Sequence, residues 1–385
     1  MNGNNLWRTI IGQDDAIDKL VRSLDAGGHT HALLFVGPRG IGKMTTAKVM
    51  AAILNCDDDG CGSCAICSKV LRDIHPDVIL IEPEGNFILI EQIESLLQVI
   101  TLKNYEGRTK VILIDDADRM TDEAANSLLK TLEEPPEHVV FILVTASIEN
   151  VLPTIVSRCR LVRFQSIPAP QVTSFLIERY NAHPDEALLA TRLSDGILGT
   201  AISFVMSPAK HARRKAIISA ARSLDRAYLA QVSFVAEEFV GELKKPLEEL
   251  KTRHKRELDE LKEQFSPKDK PKQIINRLED RHKRELSREE HQGYDDILTI
   301  LVSWYRDVIL VKETGRSDVL TNQDYEQAIR EHADLLSSKD IYRCLQILEE
   351  TKQYSRFNVN MQLAFETMLF KIHDVVAVQN TPYIS

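Results

Sequence analysis

Three groups of residues in this chain have the types and spacing to do chemistry. The first is Gly37-Pro38-Arg39-Gly40-Ile41-Gly42-Lys43, which fits G-x4-G-K. In that pattern the glycines let backbone N–H groups curl around phosphates, and the lysine reaches the terminal ones. A helix starting here would add positive potential at its N-terminus. The pattern calls next for Ser or Thr to ligate Mg²⁺, and the chain has Met44. A thioether is too soft a donor for a hard cation. Thr45 comes one step later, ~100° around a helix. Residues Gly37 to Thr45 are therefore a nucleotide-binding candidate with poor metal positioning.

The second group is Asp115-Asp116-Ala117-Asp118, at the end of an apolar run. Asp115 is suited to holding Mg²⁺, directly or through water. The next position usually polarises an attacking water, and ATPases prefer Glu there. Asp116 is one methylene shorter, and a displacement of about 1 Å can cost on the order of 100-fold in rate. The plainer reading is that these acids cap a strand. The third group is Cys56, Cys61, Cys64 and Cys67, spaced C-x4-C-x2-C-x2-C. Two C-x2-C steps in series suit tetrahedral Zn²⁺ in a closed, structural site. Four reduced thiols or an iron–sulfur cluster are the other states such a set admits. His75 is nearby, but His-Pro-Asp reads more simply as a turn into a strand.

Elements must position these groups. Short apolar runs at 32–36, 78–81, 111–114 and 139–144 read as buried strands, with helical stretches such as 90–102 and 122–132 between them. Strands alternating with helices predict a parallel sheet covered on both faces. The strands are expected to end by Phe164, and Pro168-Ala169-Pro170 marks a boundary. We divide the 385 residues into an α/β core over 1–165 with a cysteine insert at about 56–67, a small helical unit over 166–212, and an all-α region over 213–385. No run of about 18 apolar residues is present, so a membrane span is not expected. A net charge of −9 argues against coating nucleic acid by bulk charge. A cytoplasmic chain is expected.

One segment stands apart. Within 241–292 more than half of the residues are charged, against 27% for the whole chain. Arg253-His254-Lys255-Arg256-Glu257-Leu258 recurs as Arg281-His282-Lys283-Arg284-Glu285-Leu286, with Ser266-Pro267-Lys268-Asp269-Lys270-Pro271 between the copies. This predicts two charged helices in an antiparallel hairpin, with Leu247, Leu250, Leu258, Leu261 and Phe265 as the seam. It reads as a solvated insertion, or as a docking arm.

Taken together, these residues resemble the bacterial clamp-loader subunits of DNA polymerase III, AAA+ proteins. The resemblance rests on Ile11-Gly12-Gln13, the phosphate loop, and the cysteine cluster placed after its helix. It rests further on Asn126-Ser127-Leu128-Leu129-Lys130-Thr131-Leu132-Glu133-Glu134-Pro135-Pro136 and Ser157-Arg158-Cys159. It is strong to about residue 212 and weak beyond, where Arg356-Phe357-Asn358-Val359-Asn360 carries it.

The resemblance implies a RecA-like AAA+ core, a helical lid and a helical collar. It implies that Arg158 is an arginine finger acting in trans on a neighbour's ATP, that Thr145 is sensor 1, and that Thr200 stands where a sensor 2 arginine is usual. Met44, Asp116 and Thr200 each weaken the chain's own hydrolysis site, while the donated finger remains. That asymmetry resembles the delta-prime stator branch more than the gamma/tau motor. The implied partners are gamma/tau and delta in a hetero-pentameric ring, the sliding clamp, and primed DNA through the complex, in the nucleoid-associated bacterial replisome. The implied cofactors are structural Zn²⁺ and ATP/Mg²⁺. Two other readings stay open: an active gamma-type ATPase that tolerates Met44, and a non-clamp AAA+ scaffold whose hairpin recruits a partner.

Overall fold

A computed structural model describes residues 6–25, 31–85, 87–224, 229–263, 272–354 and 360–377. Its first half is built on runs of Val, Ile, Leu and Phe. These form β1 (Ala32–Val36), β2 (Val78–Ile81), β3 (Lys110–Ile114) and β4 (Val139–Thr145). Every residue of β1 and β3 is buried, as expected of parallel strands covered on both faces. A fifth strand, β5 (Arg160–Arg163), completes the sheet. The sequence reading passed over it because only Leu161 and Val162 are apolar, and β5 is an edge strand paired on one side alone. The five strands are parallel in the order β2-β3-β4-β1-β5.

Helix α1 (Asp14–Asp25) precedes β1, and α2 (Lys43–Asn55), α3 (Ala65–Leu71), α4 (Ile90–Ile100), α5 (Asp122–Glu133) and α6 (Pro153–Val156) lie between the strands. One buried layer joins Ile93, Leu96 and Ile100 of α4 and Leu128 and Leu132 of α5 to Ile112, Ile114, Phe141 and Leu143 of the sheet. Thr121 caps α5 by accepting a hydrogen bond from Ala124 N–H. Then follow α7 (Ala169–Tyr180), α8 (Pro184–Ser194) and α9 (Leu198–Val205). The architecture is a five-stranded parallel-sheet core followed by an all-α region.

The chain divides into two units, Met1–Ser203 and Phe204–Ser385. The second holds α10 (Pro208–Ser223), α11 (Leu229–Glu263), α12 (Lys272–Thr314), α13 (Glu326–Leu335), α14 (Ser338–Tyr354) and α15 (Met361–Ala377). The boundary drawn at 212 from sequence falls within α10, a continuous helix of the second unit. Fully buried Trp304 and Tyr305 anchor this unit's core. Trp304 donates its indole N–H to His332 Nδ1 at 3.0 Å. Arg214 is held bidentately by Asp324, with both N–O distances 2.7 Å.

The charged segment is the outer part of α11 and α12. At the repeat the helices meet through polar groups. The His254 and His282 rings stack 3.9 Å apart and 3° from parallel. His254 Nε2 lies 2.9 Å from Glu285, and His282 Nε2 lies 2.9 Å from Glu257. Arg253 donates to Glu285 at 2.7 Å, and Arg281 donates to Glu257. Each copy of the repeat thus pairs with the other. Of the expected seam, Leu250 is buried and Leu247 and Leu258 are half-buried. The Leu261 side chain, Phe265 and the 266–271 turn lie outside the described residues, as do Arg356 to Val359.

Candidate functional site

The phosphate loop leaves the carboxyl end of β1 and runs into α2. Gly42 caps that helix at φ +104°, a left-handed conformation that L side chains rarely adopt. The Lys43 ammonium is tucked into its own loop, donating to Gly37 O at 2.6 Å and Pro38 O at 2.7 Å. Burial pulls its pKa down to about 8, against the opposing charges of Asp115 and Asp116. Met44 is half-buried on the first turn of α2, and Thr45 is exposed. Thr46 turns its hydroxyl back to Gly42 O at 2.9 Å.

The acids after β3 stand at the same edge of the sheet. Asp116 adopts a left-handed conformation (φ 49°) and its carboxylate faces two arginines. Arg39 of the phosphate loop donates to it at 2.8 Å, and Arg119 Nε lies 3.6 Å away. These contacts occupy the carboxylate. At the end of β4 the Thr145 hydroxyl donates to Asp118 at 2.6 Å and accepts the Ser147 N–H at 3.0 Å. Gly199, in α9, donates its N–H to Gly40 O at 3.0 Å, and a Cβ there would lie 2.7 Å from that oxygen. Thr200 thereby arrives at the phosphate loop, where a Cβ on Gly40 would meet its hydroxyl at 3.5 Å.

Arg158 lies at the opposite edge. It precedes β5, whose Arg160 pairs with Leu33 near the start of β1, whereas the phosphate loop follows Val36 at the end. From Leu33 to Val36 the strand runs ~10 Å at about 3.3 Å per residue. The Arg158 Nε donates to Glu133 Oε1 at 2.8 Å, and Nη2 donates to the same oxygen. Its Nη1 donates to Thr154 O at 2.9 Å.

The cysteine cluster follows α2 and opens α3. Cys56 Sγ lies 3.7 Å from Cys61 Sγ and 3.8 Å from Cys64 Sγ, and all four sulfurs lie within 4.8 Å of one another. Four thiolates about 2.3 Å from one Zn²⁺ would stand ~3.8 Å apart, so the donor set fits. Backbone N–H groups of Cys64 and Cys67 point at the sulfurs of Cys61 and Cys64 at 3.4 and 3.3 Å. Hydrogen bonds from Ser63 and Cys64 bring the Cys61 pKa down to about 6, favouring the thiolate. Among the described residues this is the one group of three or more such ligands brought together. His75 is buried apart from it, with Nδ1 accepting the Asp77 N–H at 3.2 Å. Asp77 accepts N–H bonds from Tyr105, Glu106 and Gly107 at 2.7–2.8 Å. Burial alone would raise its pKa, but these three donors hold it below the usual value.

Of the sequence candidates, the structure brings together Gly37 to Thr45, Asp115, Asp116 and Thr145 at one edge. It sets Arg158 and the four cysteines elsewhere. It adds Asp118 and Glu133, which sequence reasoning did not assign. Each sits inside a motif already read, but only the fold reveals its partner.

Two family models match the chain. One, described as DNA polymerase III, delta subunit, covers residues 12–168. The other, the C-terminal part of that subunit, covers residues 284–374. The delta-prime subunit of DNA polymerase III from Bacillus subtilis (strain 168) is 27% identical over 375 residues, spanning 96% of this chain and 98% of that protein. The chain belongs to the clamp-loader subunits of DNA polymerase III. A gamma subunit from Buchnera aphidicola subsp. Acyrthosiphon pisum (strain APS) is 37% identical to this clamp-loader subunit over 174 residues, spanning 44% of this chain and 48% of that protein. The tau subunit of Bacillus subtilis (strain 168) is 28% identical over 374 residues, 95% of this chain and 61% of that protein. The chain therefore spans about half of that gamma subunit and nearly all of the delta-prime subunit. No helix among the described residues is long and apolar enough to cross a membrane.

Proposed function

We propose that this clamp-loader subunit is the delta-prime stator. In this role Arg158 completes the ATP site of an adjacent gamma/tau subunit, while the chain's own phosphate loop contributes little hydrolysis. The carrying observation is the placement of the two groups at opposite edges of one sheet. Arg158 is held by Glu133 and Thr154 beside the start of β5, apart from its own phosphate loop, so in this role its guanidinium serves a neighbour's nucleotide. At its own loop, Met44 offers no hard ligand, Asp116 is engaged by Arg39 and Arg119, and Thr200 replaces a cation. Near full-length similarity to a delta-prime subunit supports the same reading.

The mechanism follows from charge. As a phosphoryl group transfers, negative charge spreads over its oxygens, and a guanidinium delivered from the next subunit stabilises it. ATP binding in a ring with gamma/tau and delta would favour a state that holds the sliding clamp open on primed DNA. Hydrolysis would release the clamp closed. The cysteine cluster holds Zn²⁺ structurally, pinning the end of α2 to the start of α3. Metal analysis of the purified chain should find one zinc, lost in Cys64→Ser.

The deciding experiment is clamp- and DNA-stimulated ATPase of the complex reconstituted with gamma/tau and delta. Arg158→Ala should abolish most turnover while the isolated chain shows none. Turnover by the isolated chain, or an indifferent Arg158→Ala, would return the chain to the gamma-type reading.

A further inference from the structure

Arg158 does not reach outward alone. The Nε/Nη2 side of its guanidinium is filled by one carboxylate oxygen of Glu133, the last residue of α5. Nη1 is held from behind by Thr154 O at 2.9 Å, and its other neighbour, Ser157 Oγ, is a long 3.4 Å away. A guanidinium carries five N–H donors in a rigid plane. Three are directed to Glu133 and Thr154 and a fourth makes the long Ser157 contact, so the outer Nη1/Nη2 edge, the one able to bracket a phosphate, is the least firmly held. The arginine side chain is 31% exposed.

Resting on the finger reading above, we propose that Glu133 is a positioning residue for Arg158. It fixes the plane of the guanidinium so that its outer edge is presented before a neighbouring subunit's ATP arrives. The location explains why a carboxylate is kept there. Glu133 stands at the carboxyl end of α5, where the helix dipole and adjacent Glu134 both disfavour negative charge. A glutamate in that position is stabilised by a cation, and Arg158 is its cation. Pro135 and Pro136 follow at once and fix the chain's exit, so the carboxylate has little freedom to drift. Thr154 contributes from α6, whose helical turn aims its carbonyl at the same guanidinium.

The test is the reconstituted ATPase with Glu133→Ala, Glu133→Gln, Arg158→Ala and the double variant Glu133→Ala/Arg158→Ala. A guanidinium released from its bracket misplaces the outer edge by about an ångström, so Glu133→Ala should lower kcat by ~10- to 100-fold with little change in KM for ATP. Glu133→Gln keeps an acceptor for Nε and should recover part of that loss. The double variant should be no slower than Arg158→Ala alone, because Glu133 acts only through the finger. Complex assembly measured alongside separates a folding defect from a kinetic one. Wild-type kcat in assembled Glu133→Ala, or a double variant whose losses multiply, overturns the role of Glu133 and leaves the finger standing. An indifferent Arg158→Ala overturns both.

Discussion

The two edges of the central sheet have been treated differently by the sequence. At the carboxyl edge the groups of the proposed nucleotide site are turned upon one another. Lys43 binds its own loop, Asp116 binds Arg39, and Thr145 binds Asp118. At the amino edge, polar groups are braced so that something is presented. Glu133 and Thr154 bracket Arg158, and Asp77 draws in three consecutive N–H groups ahead of β3. The difference shows how a phosphate loop can persist as architecture. The Gly40 carbonyl still receives the Gly199 N–H, and β1 still needs a turn into α2, whether or not phosphate is bound.

The widest contrast should come from charge removal at each edge. In the complex, Arg158→Ala should cost about 10³-fold in turnover, the lower end of the range for an arginine finger. Lys43→Ala should leave turnover of the complex unchanged. Equal losses from the two substitutions would break the comparison. A smaller effect should come from repair. Met44→Thr with Asp116→Glu supplies a hydroxyl for Mg²⁺ and a longer carboxylate, and should give the isolated chain a slow Mg²⁺-dependent turnover above the wild-type background. No gain would mean that the Arg39 and Arg119 contacts, not the missing ligands, silence the edge.

Asp77 gives a pH-dependent test of the braced edge. Its folded pKa lies below the ordinary 3.8, so its contribution is fully present above that value and is lost as pH falls through the depressed one. Asp77→Asn should cost about 1 kcal/mol near pH 7, and the gap to wild type should narrow below pH 3.8 in urea unfolding. The smallest effect belongs to the arm. The His254 and His282 rings are buried in their stack between α11 and α12, far along the chain from the phosphate loop, so His254→Ala with His282→Ala should lower the melting temperature and leave ATPase untouched. A large ATPase defect there would give the arm a share in the mechanism.

Much of this was legible from the residues. Four strands announced themselves because parallel strands buried on both faces are apolar without interruption. β5 did not, since Arg160 and Arg163 flank only two apolar residues. The departures from motif at Met44, Asp116 and Thr200 could be read as side-chain chemistry at fixed spacing. The pairings could not: Arg39 with Asp116 and Arg158 with Glu133 join residues 77 and 25 apart, and only the fold sets their separation. The same holds for the arm, whose repeat was visible but whose seam was expected to be apolar throughout.

That repeat makes the arm a palindrome in protein form. A local twofold axis passes between the stacked His254 and His282 rings and exchanges Arg253–Glu285 with Arg281–Glu257. Length on such an axis is adjustable in matched steps. Excising seven residues from each limb beyond the stack shortens the arm by about 10 Å, at 1.5 Å per residue, and keeps the limbs facing. Excision from one limb alone throws the outer pairs out of register. The arm is a ruler whose divisions must be cut in pairs.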